Sequence, residues 1–176
     1  NTDQVALNVT LGLPKLYVEY RRPNALVQIP QSLTFPYHGY IHQQKQLSTQ
    51  LQASGNKTET LNFNNIVMGQ IPSRIYLWAR QIETERTSQR ADGFLRIDSV
   101  DFTMNTRNGL MSGLNTEGLF QLSCKNGLKN CNYKQWHTRK GSVLCIDVAS
   151  DIGGLIPGKI GNVSMSFEIK LTDTCW

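Results

Sequence analysis

The side chains best suited to metal or nucleophilic chemistry are three histidines, His38, His42 and His137, and four cysteines, Cys124, Cys131, Cys145 and Cys175. A metal site needs several such ligands at ligand spacing, and a catalytic site needs polar groups that converge in a pocket. His38 and His42 are four positions apart and would share a helical face, but the context Pro36-Tyr37-His38-Gly39-Tyr40 does not favour a helix. The cysteines form no C-x-x-C arrangement. Cys145 lies between Leu144 and Ile146, where a thiol acts as a small hydrophobe with no base beside it, so its expected role is core packing. Gly153-Gly154 and Gly158-x-x-Gly161 are candidates for a phosphate cradle, but no helix start follows them and they read as tight turns before a last strand. The expectation is therefore no catalytic, cofactor-binding or metal residue and no cofactor.

Charge and length narrow the classes further. The 176 residues are enough for one core and one domain, 1–176, and no apolar run approaches a membrane span. The net charge of +5 is spread out, with no basic run longer than Arg21-Arg22 or Arg139-Lys140, so no specific nucleic-acid site is expected. Lys125 and Lys129 fall near a helix end, where cations oppose the dipole, and read as a solvated basic face. Trp78 and Trp136 read as core or interface fillers. A chain of this size can bury a core without staples, so free thiols in a reducing compartment are the favoured state, although an extracellular chain would be able to pair Cys124 with Cys131. Asn8, Asn56 and Asn162 each begin an N-x-[ST] triplet, a pattern short enough to arise by chance. The first residue is Asn1 and no signal pattern follows, from which the expected context is a longer or processed polypeptide.

The elements that would position these residues are almost all strands. Val5, Leu7, Val9 and Leu11 alternate with smaller or polar residues, and Leu16, Val18 and Tyr20 repeat the pattern, predicting strands at 5–11 and 16–20. Residues 30–39, rich in proline and aromatics, predict a loop crossing between sheets, and weaker strands are expected at 47–53 and 62–67. Residues 74–80 carry large side chains on both faces and predict a central strand covered on both sides, followed by an exposed loop over 83–92. Leu95 and Ile97 are odd-numbered whereas Val100, Phe102 and Met104 are even, so a bulge near Asp98-Ser99 would keep both sets on the core, the alternative being two strands with a bend. One helix is predicted over 116–125, started by Thr116 and stopped by Asn126-Gly127. Strands at 141–148 and 163–171 complete the set, the latter with Val163, Met165, Phe167, Ile169 and Leu171 inward.

Some eight strands, long connections and one short helix predict an all-β fold, an eight-stranded antiparallel jelly-roll sandwich. An immunoglobulin-like sandwich is disfavoured by the Trp and Cys spacing. Three runs then acquire a second meaning: Ile71-Pro72-Ser73-Arg74-Ile75-Tyr76-Leu77-Trp78-Ala79-Arg80, Asn108-Gly109-Leu110-Met111-Ser112, and Leu119-Phe120-Gln121-Leu122-Ser123-Cys124-Lys125-Asn126-Gly127. With Trp136, Gly141-Ser142-Val143-Leu144, Asp151 and Pro157-Gly158 following in order, the chain from Leu16 to Leu171 resembles the C-terminal half of double-jelly-roll major capsid proteins. That family spans virophages, Polinton-like and adinto-like viruses and nucleocytoplasmic large DNA viruses.

The resemblance implies a structural, non-enzymatic protein of the virion, assembled inside the infected host cell. It implies a homotrimeric pseudo-hexagonal capsomer in an icosahedral shell, with neighbouring capsomers and penton or minor capsid proteins as further partners. Because the chain has the length of one jelly roll, the resemblance implies one half of a longer subunit, with a processed fragment or a single-jelly-roll relative as alternatives. Two other classes compete: a secreted trimeric jelly-roll ligand or carbohydrate-binding module, and a cupin-like metalloenzyme. The second would need the histidine cluster that this sequence lacks.

Overall fold

The structure is a computed structural model that describes residues 12–22, 24, 32, 34, 37–47, 58–86 and 93–172. The chain divides into two units, Asn1–His42 and Gln43–Trp176. In the first, the described residues form neither helix nor strand, and Leu16, Tyr17 and Tyr20 are 90, 85 and 86% exposed. The strand expected at 16–20 is therefore not formed. Alternation alone does not make a strand, which also needs a neighbour to pair its N–H and C=O groups, and none of the described residues of this unit supplies a ladder. The strand expected at 5–11 and most of that expected at 47–53 lie outside the described residues.

The second unit holds six strands among the described residues, all paired antiparallel. Four make one sheet: β1 (Thr58–Gln70), β3 (Ala79–Arg80), β4 (Phe94–Met104) and β6 (Ile160–Thr172), in the order β1-β6-β4-β3. The other two, β2 (Arg74–Leu77) and β5 (Leu144–Asp147), pair separately. Eight strands were expected, and the described residues carry six.

Strand β6 is central and follows its alternation: Val163, Met165, Phe167, Ile169 and Leu171 are all buried, while Ser164, Glu168 and Lys170 are exposed. On one side Phe167 is in register with Phe63 of β1 and on the other with Phe102 of β4, whose ring stacks on it at 4.5 Å and 11°. Each such side chain contributes roughly 1.5–3 kcal/mol by leaving water. The phase change in β4 is a bulge, because the register with β6 jumps between Ile97 and Ser99. Leu95, Ile97, Val100, Phe102 and Met104 consequently all face the core.

The segment 74–80 is not one central strand. It splits at Trp78: Ile75 pairs with Ile146 in the small sheet, whereas Ala79 pairs with Leu95 in the large one. Tyr76 and Trp78 stay 47 and 44% exposed, so the large side chains on both faces mark a change of sheet and not double coverage. In the loop that follows, Glu83–Glu85 form one 3-10 turn, and residues 87–92 lie outside the described set.

The predicted helix is present with the expected bounds, α1 (Thr116–Lys125). Its cap is not Thr116 but Asn115, whose side chain accepts from the Gly118 N–H at 2.8 Å, while Thr116 Oγ1 bonds the Tyr133 hydroxyl at 2.9 Å. A second helix that the sequence reading missed, α2 (Tyr133–Thr138), begins with a capping box: the Gln135 N–H donates to Asn132 Oδ1 and the Asn132 N–H to Gln135 Oε1. The strand expected at 141–148 shortens to β5, because Gly141 and Ser142 form a left-handed turn. A Cβ on Gly141 would stand 2.6 Å from Phe94 Cβ and 2.7 Å from the Leu95 carbonyl oxygen, so only glycine fits there.

Candidate functional site

Helix α1, helix α2 and strand β5 meet in one corner, where buried side-chain hydrogen bonds concentrate. Strand β5 pairs with β2 along one edge, and α1 serves its other edge with side chains. The Cys145 N–H donates to Ser123 Oγ at 3.3 Å, and Asn126 Nδ2 donates to the Cys145 carbonyl at 2.8 Å. Ser123 is fully buried and donates in turn to the Leu119 carbonyl at 3.0 Å. Two helix side chains thus stand where a further strand would pair, an arrangement that leaves that backbone satisfied.

Asp151 ties this edge to the chain that leaves it. Its Oδ2 accepts from Asn126 Nδ2 at 2.6 Å and the Asp147 N–H at 2.8 Å, and its Oδ1 accepts from Lys125 Nζ at 2.9 Å and Ser150 Oγ at 3.1 Å. The Asp151 side chain is only 2% exposed, whereas that of Lys125 is 58% exposed. Burial pushes the carboxyl up, but Lys125, the Asp147 N–H, Asn126 and Ser150 together outweigh it and hold Asp151 below the usual carboxylate value. Lys125, exposed in the last turn of α1 as expected of a cation at a helix end, is also the ion-pair partner of Asp151.

Trp136 anchors the other half of the corner. It is fully buried, its Nε1–H donates to the Val143 carbonyl at 2.7 Å, and its carbonyl accepts the Ser142 N–H at 3.0 Å. Phe120 lies 5.4 Å from it, Tyr133 6.2 Å and His137 6.2 Å, and Tyr133 stacks on His137 at 5.4 Å. His137 Nδ1 is 3.1 Å from Ser142 Oγ, a nucleophile–base contact that sequence spacing did not suggest. Burial, then the nearby Arg96 cation, lower the His137 pKa, with Asp98 opposing them. Asp98 Oδ2 itself accepts from Thr172 Oγ1. Ser142 is fully buried in a turn with φ of 52°, so no substrate atom can reach its hydroxyl. The pair therefore braces the loop around Trp136 and carries no acyl transfer.

The other residues singled out from sequence are dispersed. His38 and His42 stand outside any regular element, and no group of three or more His, Cys, Asp or Glu is placed to hold a metal among the described residues. Cys145 is buried, its thiol is pushed up chiefly by that burial, and it contacts the Asn126 carbonyl. Gly153 and Gly154 adopt positive φ, and Arg107 donates from Nη1 to the carbonyls of Ile152 and Gly153 at 3.2 and 2.9 Å, so this turn is held by a cation. Gly158 donates its N–H to the Ile71 carbonyl at 2.8 Å, fixing the entry to β6. No helix among the described residues is long and apolar enough to cross a membrane.

The outer face of the large sheet is polar. Asn62, Asn64, Asp101, Thr103, Ser166 and Glu168 line a shallow groove across β1, β6 and β4, and Asp101 and Glu168 stand directly opposite each other. Asp101 Oδ1 is buried there without a hydrogen-bond partner among the described residues.

Known proteins share this architecture. Over 70% of the chain the fold matches a chain of the Sputnik virophage structure determined by cryo-EM, with a TM-score of 0.59 and 21% identity, covering 29% of that chain. Over 68% it matches the mavirus major capsid protein, with a TM-score of 0.57 and 14% identity, again covering 29% of that chain. In sequence it is 23% identical to the Sputnik virophage protein V20, which bears a capsid-protein name, over 96% of this chain and 32% of that protein. The chain thus spans about a third of the length of this curated relative. Residues 37–139, more than half of the chain, match the family described as the major capsid protein V20 C-terminal domain, and the chain belongs to that family.

Proposed function

We infer that this chain is the C-terminal jelly roll of a double-jelly-roll major capsid protein and a structural block of a virus shell. The observation that carries this reading is the agreement of one antiparallel fold with the Sputnik virophage structure and the mavirus major capsid protein, less than a third of each of which it spans. That ratio leaves room for a second jelly roll in the same subunit. In this reading the fold is an eight-stranded sandwich, and three subunits form a pseudo-hexagonal capsomer. The capsomers meet neighbouring capsomers and penton or minor capsid proteins in the virion.

The chemistry of the corner fits such a role. Its polar side chains are spent on one another and on backbone groups, which makes the unit rigid, while the outer sheet face keeps polar groups available for lateral contact. A shell protein works through surfaces and not through a pocket. The test is light scattering with electron microscopy on the full-length subunit that contains this chain. A trimer of hexagonal outline is expected, and a monomer, or a glycosylated assembly without a lattice, would overturn the reading.

A further inference from the structure

The three described cysteines differ in setting. Cys145 is buried in β5 and contacts the Asn126 carbonyl, so it is shielded from reagents. Cys124 and Cys131 are half-buried and pack against the same apolar core from the two ends of one tight connection. Cys124 occupies the last turn of α1, and Cys131 immediately precedes Asn132, the cap of α2. The chain between them folds back on itself. The Gly127 N–H donates to the Cys124 carbonyl at 3.2 Å and the Leu128 N–H to the Ser123 carbonyl at 2.9 Å, with Gly127 and Asn130 both at positive φ. Thr116, Phe120 and Cys124 follow one another at four-residue spacing on one face of α1, and Tyr133, two residues after Cys131, bonds Thr116 at 2.9 Å and sets its ring 5.6 Å from that of Phe120, which brings the chain around Cys131 to the face that carries Cys124.

We propose that Cys124 and Cys131 are a modification site, a dithiol that closes to an intrachain disulfide across the α1–α2 connection when the protein meets a small-molecule disulfide. The Cys131 thiolate attacks one sulfur of the oxidant, forming a mixed disulfide and releasing one thiolate. The Cys124 thiolate then attacks the Cys131 sulfur, the second thiolate leaves, and the bond between the two cysteines forms. The two cysteines lose two electrons, the small disulfide gains them, and two protons pass to the two released thiols. Burial pushes the Cys124 thiol up, so the closing step is slow at neutral pH and faster in mildly alkaline solution.

The chemistry rests on the fold alone. Its use rests on the shell reading, because a particle assembled in a reducing cell and released to an oxidising exterior would gain a staple at this corner. The closed loop is short, so the expected gain in Tm is modest, roughly 5 °C.

The experiment takes the whole chain carrying Cys175→Ser, reduced, then incubated folded with glutathione disulfide at mildly alkaline pH and digested with trypsin. Cleavage after Arg107, Lys125, Lys129 and Lys134 separates the two cysteines onto peptides 108–125 and 130–134. The expected result is those two peptides joined through sulfur, two hydrogens lighter than their sum, and a rise in Tm absent from Cys131→Ser. Cys145 should alkylate only after unfolding. Two thiols that remain alkylatable after oxidation of the folded chain, or a link between chains or to Cys145, would overturn the proposal. The result is independent of whether the full-length subunit assembles.

Discussion

The large sheet and the helical corner are built on different physics. Between β1, β6 and β4 the contacts are apolar and repeat every second residue, so stability is spread over some ten side chains with no single indispensable polar contact. In the corner, one indole, one carboxylate and two short helices hold each other through directional bonds. The sheet should therefore yield gradually to substitution on its outer face, and the corner abruptly to the loss of a single partner.

The largest effect should follow Trp136→Ala. The substitution leaves a cavity between α1, α2 and β5 and orphans the Val143 carbonyl, and a cost of about 3–5 kcal/mol is expected from urea unfolding. A cost below about 1 kcal/mol would mean that the corner is as distributed as the sheet.

Asp151→Asn comes next. Its one remaining oxygen can still accept from Asn126 Nδ2 and the Asp147 N–H, but its buried NH2 then faces the donors Lys125 Nζ and Ser150 Oγ, and the charge that strengthened all four bonds is gone, so it should cost about 2–3 kcal/mol by the same measurement. Lys125→Gln separates the two contributions: its ammonium is more than half exposed, so its loss should cost less than about 1 kcal/mol. Equal costs for the two variants would move the weight from the buried hydrogen bonds to the ion pair.

How much of this was visible beforehand follows from the same division. Burial along β6 depends on one local period, so residues 163–171 disclosed their inward face directly, and the phase change between Ile97 and Val100 disclosed the bulge. The motif order from Ile71 to Gly158 likewise pointed to the family. Helix α2 stayed hidden because six residues give less than two turns, although Asn132-x-x-Gln135 was its available signal. The switch of sheets at Trp78 hid behind a run with large side chains on both faces. The Asp151 clamp was illegible for a simpler reason, since Lys125 and Asn126 meet it only through the tertiary fold. The same holds for the contact between His137 and Ser142, whose meaning depends on the burial of the hydroxyl.

Acid should act on the corner before the sheet. Both His137 and Asp151 have folded-state pKa values below their ordinary ones. In each case the unfolded chain takes up the proton more readily, so stability is complete above the unfolded value and falls as the pH drops below it. The His137 contribution is lost as the pH falls below about 6.5, and the Asp151 contribution below about 4. Stability measured against pH should show two separate declines, the upper abolished by His137→Gln and the lower by Asp151→Asn. An upper decline that survives His137→Gln would place the sensitive group elsewhere.

The smallest effect belongs to the outer sheet face. Lys170 lies exposed on β6 opposite Thr60 and Ser99, in a ladder whose backbone bonds do not depend on its side chain. Lys170→Gln should therefore change the unfolding free energy by less than about 0.5 kcal/mol. The useful comparison is with assembly of the full-length subunit: if this face meets a neighbour, the same variant shifts assembly and its dependence on salt while leaving the urea midpoint in place. A variant silent in both measurements would remove Lys170 from any contact surface, and one that lowers the urea midpoint by as much as Asp151→Asn would end the distinction between sheet and corner.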